Sequence, residues 1–121
     1  MENEQKDLCF VGSSRKDLLM FPKTARRHIG FDLHSVQCGE TPATAKSVKG
    51  LPSVMELVED YDKDTYRAVY VANIGTTVYV LHCFKKKSKQ GIKTPKKELD
   101  LIKDRLRQAK EHSKRKEDHG G

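Results

Sequence analysis

Thr65-Tyr66-Arg67-Ala68-Val69-Tyr70-Val71-Ala72-Asn73-Ile74-Gly75-Thr76-Thr77-Val78-Tyr79-Val80-Leu81-His82-Cys83-Phe84 is the stretch that decides the fold. Residues 65–72 and 77–84 are rich in Val, Tyr and Thr and are read as strands. Asn73-Ile74-Gly75 lies between them as a turn. Just upstream, residues 54–58 supply another strand, and Tyr61-Asp62-Lys63-Asp64 another turn. Three strands with such short connections form an antiparallel meander.

Working outward, Leu8-Cys9-Phe10-Val11 is a short apolar run ending at Gly12 and reads as a first strand. Ser13 or Ser14 then offers a helix cap, with Asp17 in capping-box position. Pro22 breaks the helical pattern, because its ring removes a donor and clashes with the preceding turn. A second helix is expected over 23–37, with Ala25, Ile29, Leu33 and Val36 on one face and Gly39 as its stop. Residues 39–50 read as a loop. Thr94 and Pro95 have the N-cap and N1 chemistry of a last helix, whose apolar face is Leu99, Ile102, Leu106 and Ala109. From Ser113 the chain is charged and Gly-ended and reads as a frayed or disordered tail. The expectation is an α+β fold, a small antiparallel sheet flanked by helices in the order β-α-α-β-β-β-α. One domain would span 1–112, with a tail over 113–121.

At 121 residues the chain can bury one modest core. Hydrophobic residues are 36% and charged residues 34%. No run of 18 apolar residues is present, so no membrane span is expected. The start, Met-Glu-Asn-Glu-Gln-Lys-Asp, has no apolar segment of the signal-peptide kind. Cys9, Cys38 and Cys83 are few, odd in number and widely spaced, which suits buried thiols in a reducing, cytoplasmic setting.

Charge is distributed unevenly. Residues 85–97 read Lys-Lys-Lys-Ser-Lys-Gln-Gly-Ile-Lys-Thr-Pro-Lys-Lys, with seven lysines and no acidic residue. The formal net charge is +7, and without those seven lysines the chain balances at 17 basic against 17 acidic residues. A local cluster of this kind calls for a polyanionic partner, and phosphate backbones are the commonest.

Motifs for other chemistry are absent. There is no Gly-rich phosphate loop, no Gly-x-Ser-x-Gly and no His-Glu-x-x-His. His28 and His34 do not share a helix face, and adjacent His82 and Cys83 point apart on a strand, so no metal and no cofactor are expected. Arg67 is the single most interesting residue. It is either a solvent-facing strand residue that pairs with Glu56, Glu59 or Asp60 on the neighbouring strand, or it holds a phosphate with its fork in a groove on the sheet. Flanked by Leu81 and Cys83, His82 reads first as a buried, hydrogen-bonded histidine.

The chain resembles a phage-derived toxin family of the HigB type within the RelE/ParE toxin–antitoxin superfamily. The resemblance rests on Phe10-Val11-Gly12-Ser13-Ser14, Phe21-Pro22, Ile29-Gly30, residues 45–51 (Ala-Lys-Ser-Val-Lys-Gly-Leu) and residues 64–70 (Asp-Thr-Tyr-Arg-Ala-Val-Tyr). It continues through residues 78–87, Val-Tyr-Val-Leu-His-Cys-Phe-Lys-Lys-Lys, and residues 93–99, Lys-Thr-Pro-Lys-Lys-Glu-Leu. It implies a small antiparallel sheet flanked by helices. It also implies a ribosome-dependent endoribonuclease that cleaves mRNA through the RNA 2′-hydroxyl without a metal, silenced by a helix-turn-helix antitoxin. Carried over by position, Arg67 contacts the phosphate, and Lys86 and Lys87 form the basic pair after the last strand. His82 and Lys85 to Lys87 are then the groups available for proton transfer. Lys46 and Lys49 are implied RNA-binding positions, joined by Lys85, Lys89, Lys93, Lys96 and Lys97.

One strand departs from the best-known RelE pattern: residues 55–59 read Met-Glu-Leu-Val-Glu where that toxin carries lysines. No tyrosine occurs in the last helix region. The alternatives are a gyrase inhibitor of the ParE kind, which cuts no nucleic acid, and a phage protein that binds nucleic acid without catalysis.

Overall fold

The computed structural model describes residues 5–87 and 94–120, so Lys89 and Lys93 lie outside the described residues. Among the described residues eight elements follow one another: β1 (Asp7–Phe10), α1 (Ser14–Leu19), α2 (Lys23–Gln37), β2 (Ala45–Ser47), β3 (Val54–Tyr61), β4 (Asp64–Ile74), β5 (Thr77–Lys87) and α3 (Lys96–Gly120). The strands form one sheet in the order β1-β5-β4-β3-β2. All pairs are antiparallel except β1 with β5, which is parallel. The expected α+β class is therefore present, with one parallel edge.

Local chemistry explains the junctions. Pro22 precedes α2 in an extended conformation, and α1 ends at Leu19, so the expected break is real. Helix α2 closes in a Schellman arrangement: Gly39 has φ +89°, its N–H donates to the Val36 carbonyl, and the Glu40 N–H donates to the Ser35 carbonyl. The β3–β4 hairpin turns through Asp62 and Lys63, both at positive φ, as the twist of a two-residue hairpin demands.

Strands β3 and β4 run on to Tyr61 and Ile74, past the expected ends at residues 58 and 72, and four other sequence-based boundaries shift. The loop expected over 39–50 contains β2, three residues that pair with β3 at the edge of the sheet. Strand β5 does not stop at Phe84 but runs to Lys87, because Lys85, Lys86 and Lys87 continue the ladder opposite Tyr66, Thr65 and Asp64. Helix α3 begins at Lys96, one residue after Pro95. It also continues past Ser113 to Gly120 instead of giving way to a frayed tail. Lys116 ties this portion to Asp7 (3.2 Å) and Thr77 (3.5 Å), at the far end of the sheet.

Each face of the sheet carries a core. On one side Leu18 and Phe21 join Ala25, Ile29, Leu33 and Val36 of α2 over Leu57, Tyr66, Ala68, Tyr70, Val78, Val80 and Cys83. On the other, Ile102 and Ala109 of α3 cover Val54, Val69, Val71, Tyr79, Leu81 and Phe84. No described helix is long and apolar enough to cross a membrane.

A β-bulge controls which side chains reach the α3 face. Val69 pairs with His82, but the next residue, Tyr70, pairs with Val80. Leu81 is thus an extra residue, and strict alternation fails there. Tyr79 and Leu81 face α3, and so do His82 and Phe84, whose rings stack at 5.0 Å. Beyond the bulge the even-numbered residues point towards α3, which brings Lys86, not Lys85 or Lys87, to that side.

Candidate functional site

The site lies on the α3 face, at the end of the sheet where β5 runs into its lysines. Glu56 on β3, Arg67 on β4 and Lys86 on β5 lie on neighbouring strands of this face. Their relative exposures are 6%, 8% and 5%. Arg67 Nη1 donates to Glu56 Oε2 at 2.8 Å. The register places Glu56 opposite Val69 and Arg67 opposite Val58, so the bond runs diagonally across the pair. Arg67 is thus not a solvent-facing strand residue. Of its three expected partners, Glu56 is the one it takes.

Two atoms of this pair are unsatisfied. Glu56 Oε1 and Arg67 Nε are buried and have no hydrogen-bond partner among the described residues. Each such atom costs about 1–3 kcal/mol, so the arrangement favours a ligand that brings a donor for one and an acceptor for the other. Burial lowers the Lys86 pKa below the ordinary lysine value, and the Arg67 guanidinium lowers it further, while the Glu56 carboxylate acts in the opposite direction. An ammonium made more acidic in this way gives up its proton more readily.

His82 is next along the same face. Its Nε2 lies 2.9 Å from Glu98 Oε1 on α3, and its Nδ1 lies 3.5 Å from Arg105 Nη1. Arg105 can only donate, so Nδ1 accepts and Nε2 carries the hydrogen given to Glu98. The buried Arg105 also donates to the Leu81 carbonyl and to Ser13 Oγ, both at 3.0 Å. Both nitrogens of His82 are therefore engaged with α3.

The remaining sequence candidates scatter. Lys87 and Lys85 are exposed and point to the other face, so alternation separates Lys87 from Lys86 despite their adjacency. Lys85 approaches Asp64 at 3.8 Å and lines a shallow depression with Met20, Phe21 and Tyr66. Lys46 is exposed and sits opposite Glu56 across β2 and β3, so it shares the site's face. Lys49 is exposed in the loop after β2. Lys96 and Lys97 are exposed in the first turn of α3. Glu56 is the residue that sequence reasoning read as a departure and not as part of the site. The available signal was its place on the same face as Arg67, two register positions along in a three-strand meander.

The profile of the phage-derived protein family Gp49-like matches residues 16–107. The chain belongs to the Gp49-like family. Every element from α2 to β5, with all three residues of the buried cluster, falls within that match. No curated protein matches the sequence. Among solved structures, this Gp49-like chain is similar to the Escherichia coli toxin RelE, in an arginine-to-alanine double variant in the free state. The TM-score is 0.55 at 14% identity, covering 86% of this chain and 97% of that one. The RelE fold expected from sequence is thus the fold observed.

Proposed function

We propose that this protein is the toxin of a toxin–antitoxin pair and cleaves mRNA on the ribosome, in the cytoplasm. The observation that carries the reading is the buried Glu56–Arg67–Lys86 cluster, with one acceptor and one donor of the Glu56–Arg67 pair left unsatisfied. An RNA 2′-hydroxyl is a donor that suits Glu56 Oε1, and the adjacent phosphate oxygen is an acceptor that suits Arg67 Nε.

The chemistry follows from those placements. Glu56 takes the 2′-hydroxyl proton, and the freed oxygen attacks the neighbouring phosphorus. Arg67 holds the charge that builds on the phosphoryl oxygens. The bond from phosphorus to the 5′-oxygen breaks, and Lys86 protonates the leaving oxygen. The products are a 2′,3′-cyclic phosphate and a 5′-hydroxyl end. Lys46 and Lys49 contact the RNA backbone nearby, as do Lys96 and Lys97, with Lys85, Lys87, Lys89 and Lys93 adding to the attraction. His82 acts through α3, fixing that helix against β5. In the state described the cluster is more than nine-tenths buried, so substrate engagement includes its exposure. A helix-turn-helix antitoxin is the proposed silencing partner.

Induction of the protein in growing cells, followed by mapping of new mRNA 5′ ends, tests the reading. New ends within translated frames that disappear with Arg67→Ala support it. Growth arrest with broken DNA and intact mRNA would instead favour gyrase inhibition.

A further inference from the structure

Helix α3 presents a ridge of cations along one flank, roughly 110° round from the centre of its buried face, and starting at Lys96, one of the RNA contacts proposed above. Lys96, Lys103, Arg107, Lys110 and Lys114 are all exposed. At 100° per residue they fall within an arc of about 60°, along about 27 Å of helix. Asp100, Asp104 and Glu111 lie beside the ridge, on the side of the helix directly away from the sheet, and Arg107 reaches sideways to Asp104. Lys103 with Arg107, and Lys110 with Lys114, are like-charged neighbours four apart, an arrangement that weakens a helix on its own. A polyanion lying along the ridge reverses that penalty.

We infer that this ridge docks on the phosphate backbone of double-stranded RNA. A lipid surface is a poor match, because interfacial helices insert an apolar face and the apolar face of α3 is already used: Ile102 and Ala109 are fully buried against the sheet. A protein partner is also a poor match. Protein interfaces are centred on aromatic and apolar anchors and are depleted in lysine, and the exposed large apolar and aromatic residues Leu19, Met20, Phe31 and Tyr61 all lie outside α3. A rod of exposed cations with no apolar anchor matches a regular array of phosphates, read by charge and shape and not by base. The choice of RNA over DNA rests on the ribosomal reading above.

The test uses the full chain and a labelled RNA hairpin duplex, with binding measured across a salt series. Lys103→Glu/Arg107→Glu/Lys110→Glu is compared with an equal charge change elsewhere, Lys16→Glu/Lys23→Glu/Arg27→Glu on α1 and α2. The ridge variant is expected to bind at least about tenfold more weakly than the control variant, with a slope of log affinity against log salt shallower by about 2 to 3. The neutral version, Gln at the same three ridge positions, introduces no new charge and must weaken binding in the same direction, with helix content checked by circular dichroism. Equal losses in ridge and control variants overturn the inference, as does tighter binding to a DNA duplex of the same sequence. Cleavage is not read here, so failure of the ridge leaves the Arg67→Ala test standing, and the reverse also holds.

Discussion

Arg67 and Glu56 meet diagonally across β4 and β3, 2.8 Å apart and buried, with Lys86 on the strand beyond. Two cations and one carboxylate share this region, so the loss of either partner is not symmetric. Glu56→Ala leaves two buried cations facing each other and is expected to cost about 3–5 kcal/mol. Arg67→Ala leaves Glu56 with Lys86 as a compensating charge and costs less. Urea unfolding of both variants checks the order, and a larger loss for Arg67→Ala contradicts it.

Lys86 makes stability depend on pH in an unusual direction. Burial, then Arg67, lowers its folded pKa, so the unfolded chain binds more protons between that lowered value and the ordinary lysine value. Stability contributed at this position therefore rises with pH through the window and is constant below it. Wild type should gain on Lys86→Met as the pH is raised towards 10.5. Denaturant titrations from neutral to alkaline pH measure the difference, in which the other alkaline groups cancel. A difference that stays flat or falls contradicts the placement of Lys86.

Cys83 should be inert in the folded protein. Burial pushes its thiol up to about 12, with Asp17 adding to the shift and Arg105 opposing it. At pH 8 its thiolate fraction is then on the order of a thousandfold below that of an ordinary cysteine. Labelling with a thiol reagent followed by peptide mapping should modify Cys38 first and Cys83 only after unfolding.

Gly12 and Arg105 should be coupled. Gly12 has φ +58°, and a Cβ there would lie 2.7 Å from Arg105 Nε. Gly12→Ala therefore carries backbone strain of about 1 kcal/mol or more plus a clash with the guanidinium. In an Arg105→Ala background only the strain remains. A double-mutant cycle by thermal or urea unfolding should show the substitutions to be less than additive, and strict additivity contradicts the close approach.

Much of the fold could be read from residue patterns. The meander, the break at Pro22, the stop at Gly39 and the apolar face of α3 each follow from local chemistry that tertiary contacts did not override. Strand β2 was not legible because three residues, two of them exposed, carry no periodic signal. The parallel pairing of β1 was not legible because nothing in Leu8-Cys9-Phe10 marks the direction of its neighbour. The site shows a sharper limit. Arg67 and Lys86 were both candidates, but so were Lys85 and Lys87, and alternation counted from Tyr79 would bring the odd-numbered lysines to the α3 face. The Leu81 bulge inverts that count. Glu56 looked like a loss when set against a lysine-bearing strand, and although it was one of three expected partners of Arg67, the register was needed to single it out.

Ribosomes programmed with a defined mRNA, incubated with purified protein, give the most direct test of the central claim. Cuts are expected in the translated frame that leave 2′,3′-cyclic phosphate and 5′-hydroxyl ends, lost with Glu56→Gln and with Arg67→Ala in samples shown to be folded. Intact mRNA with the wild-type protein, or cuts that persist unchanged in both variants, would contradict that claim.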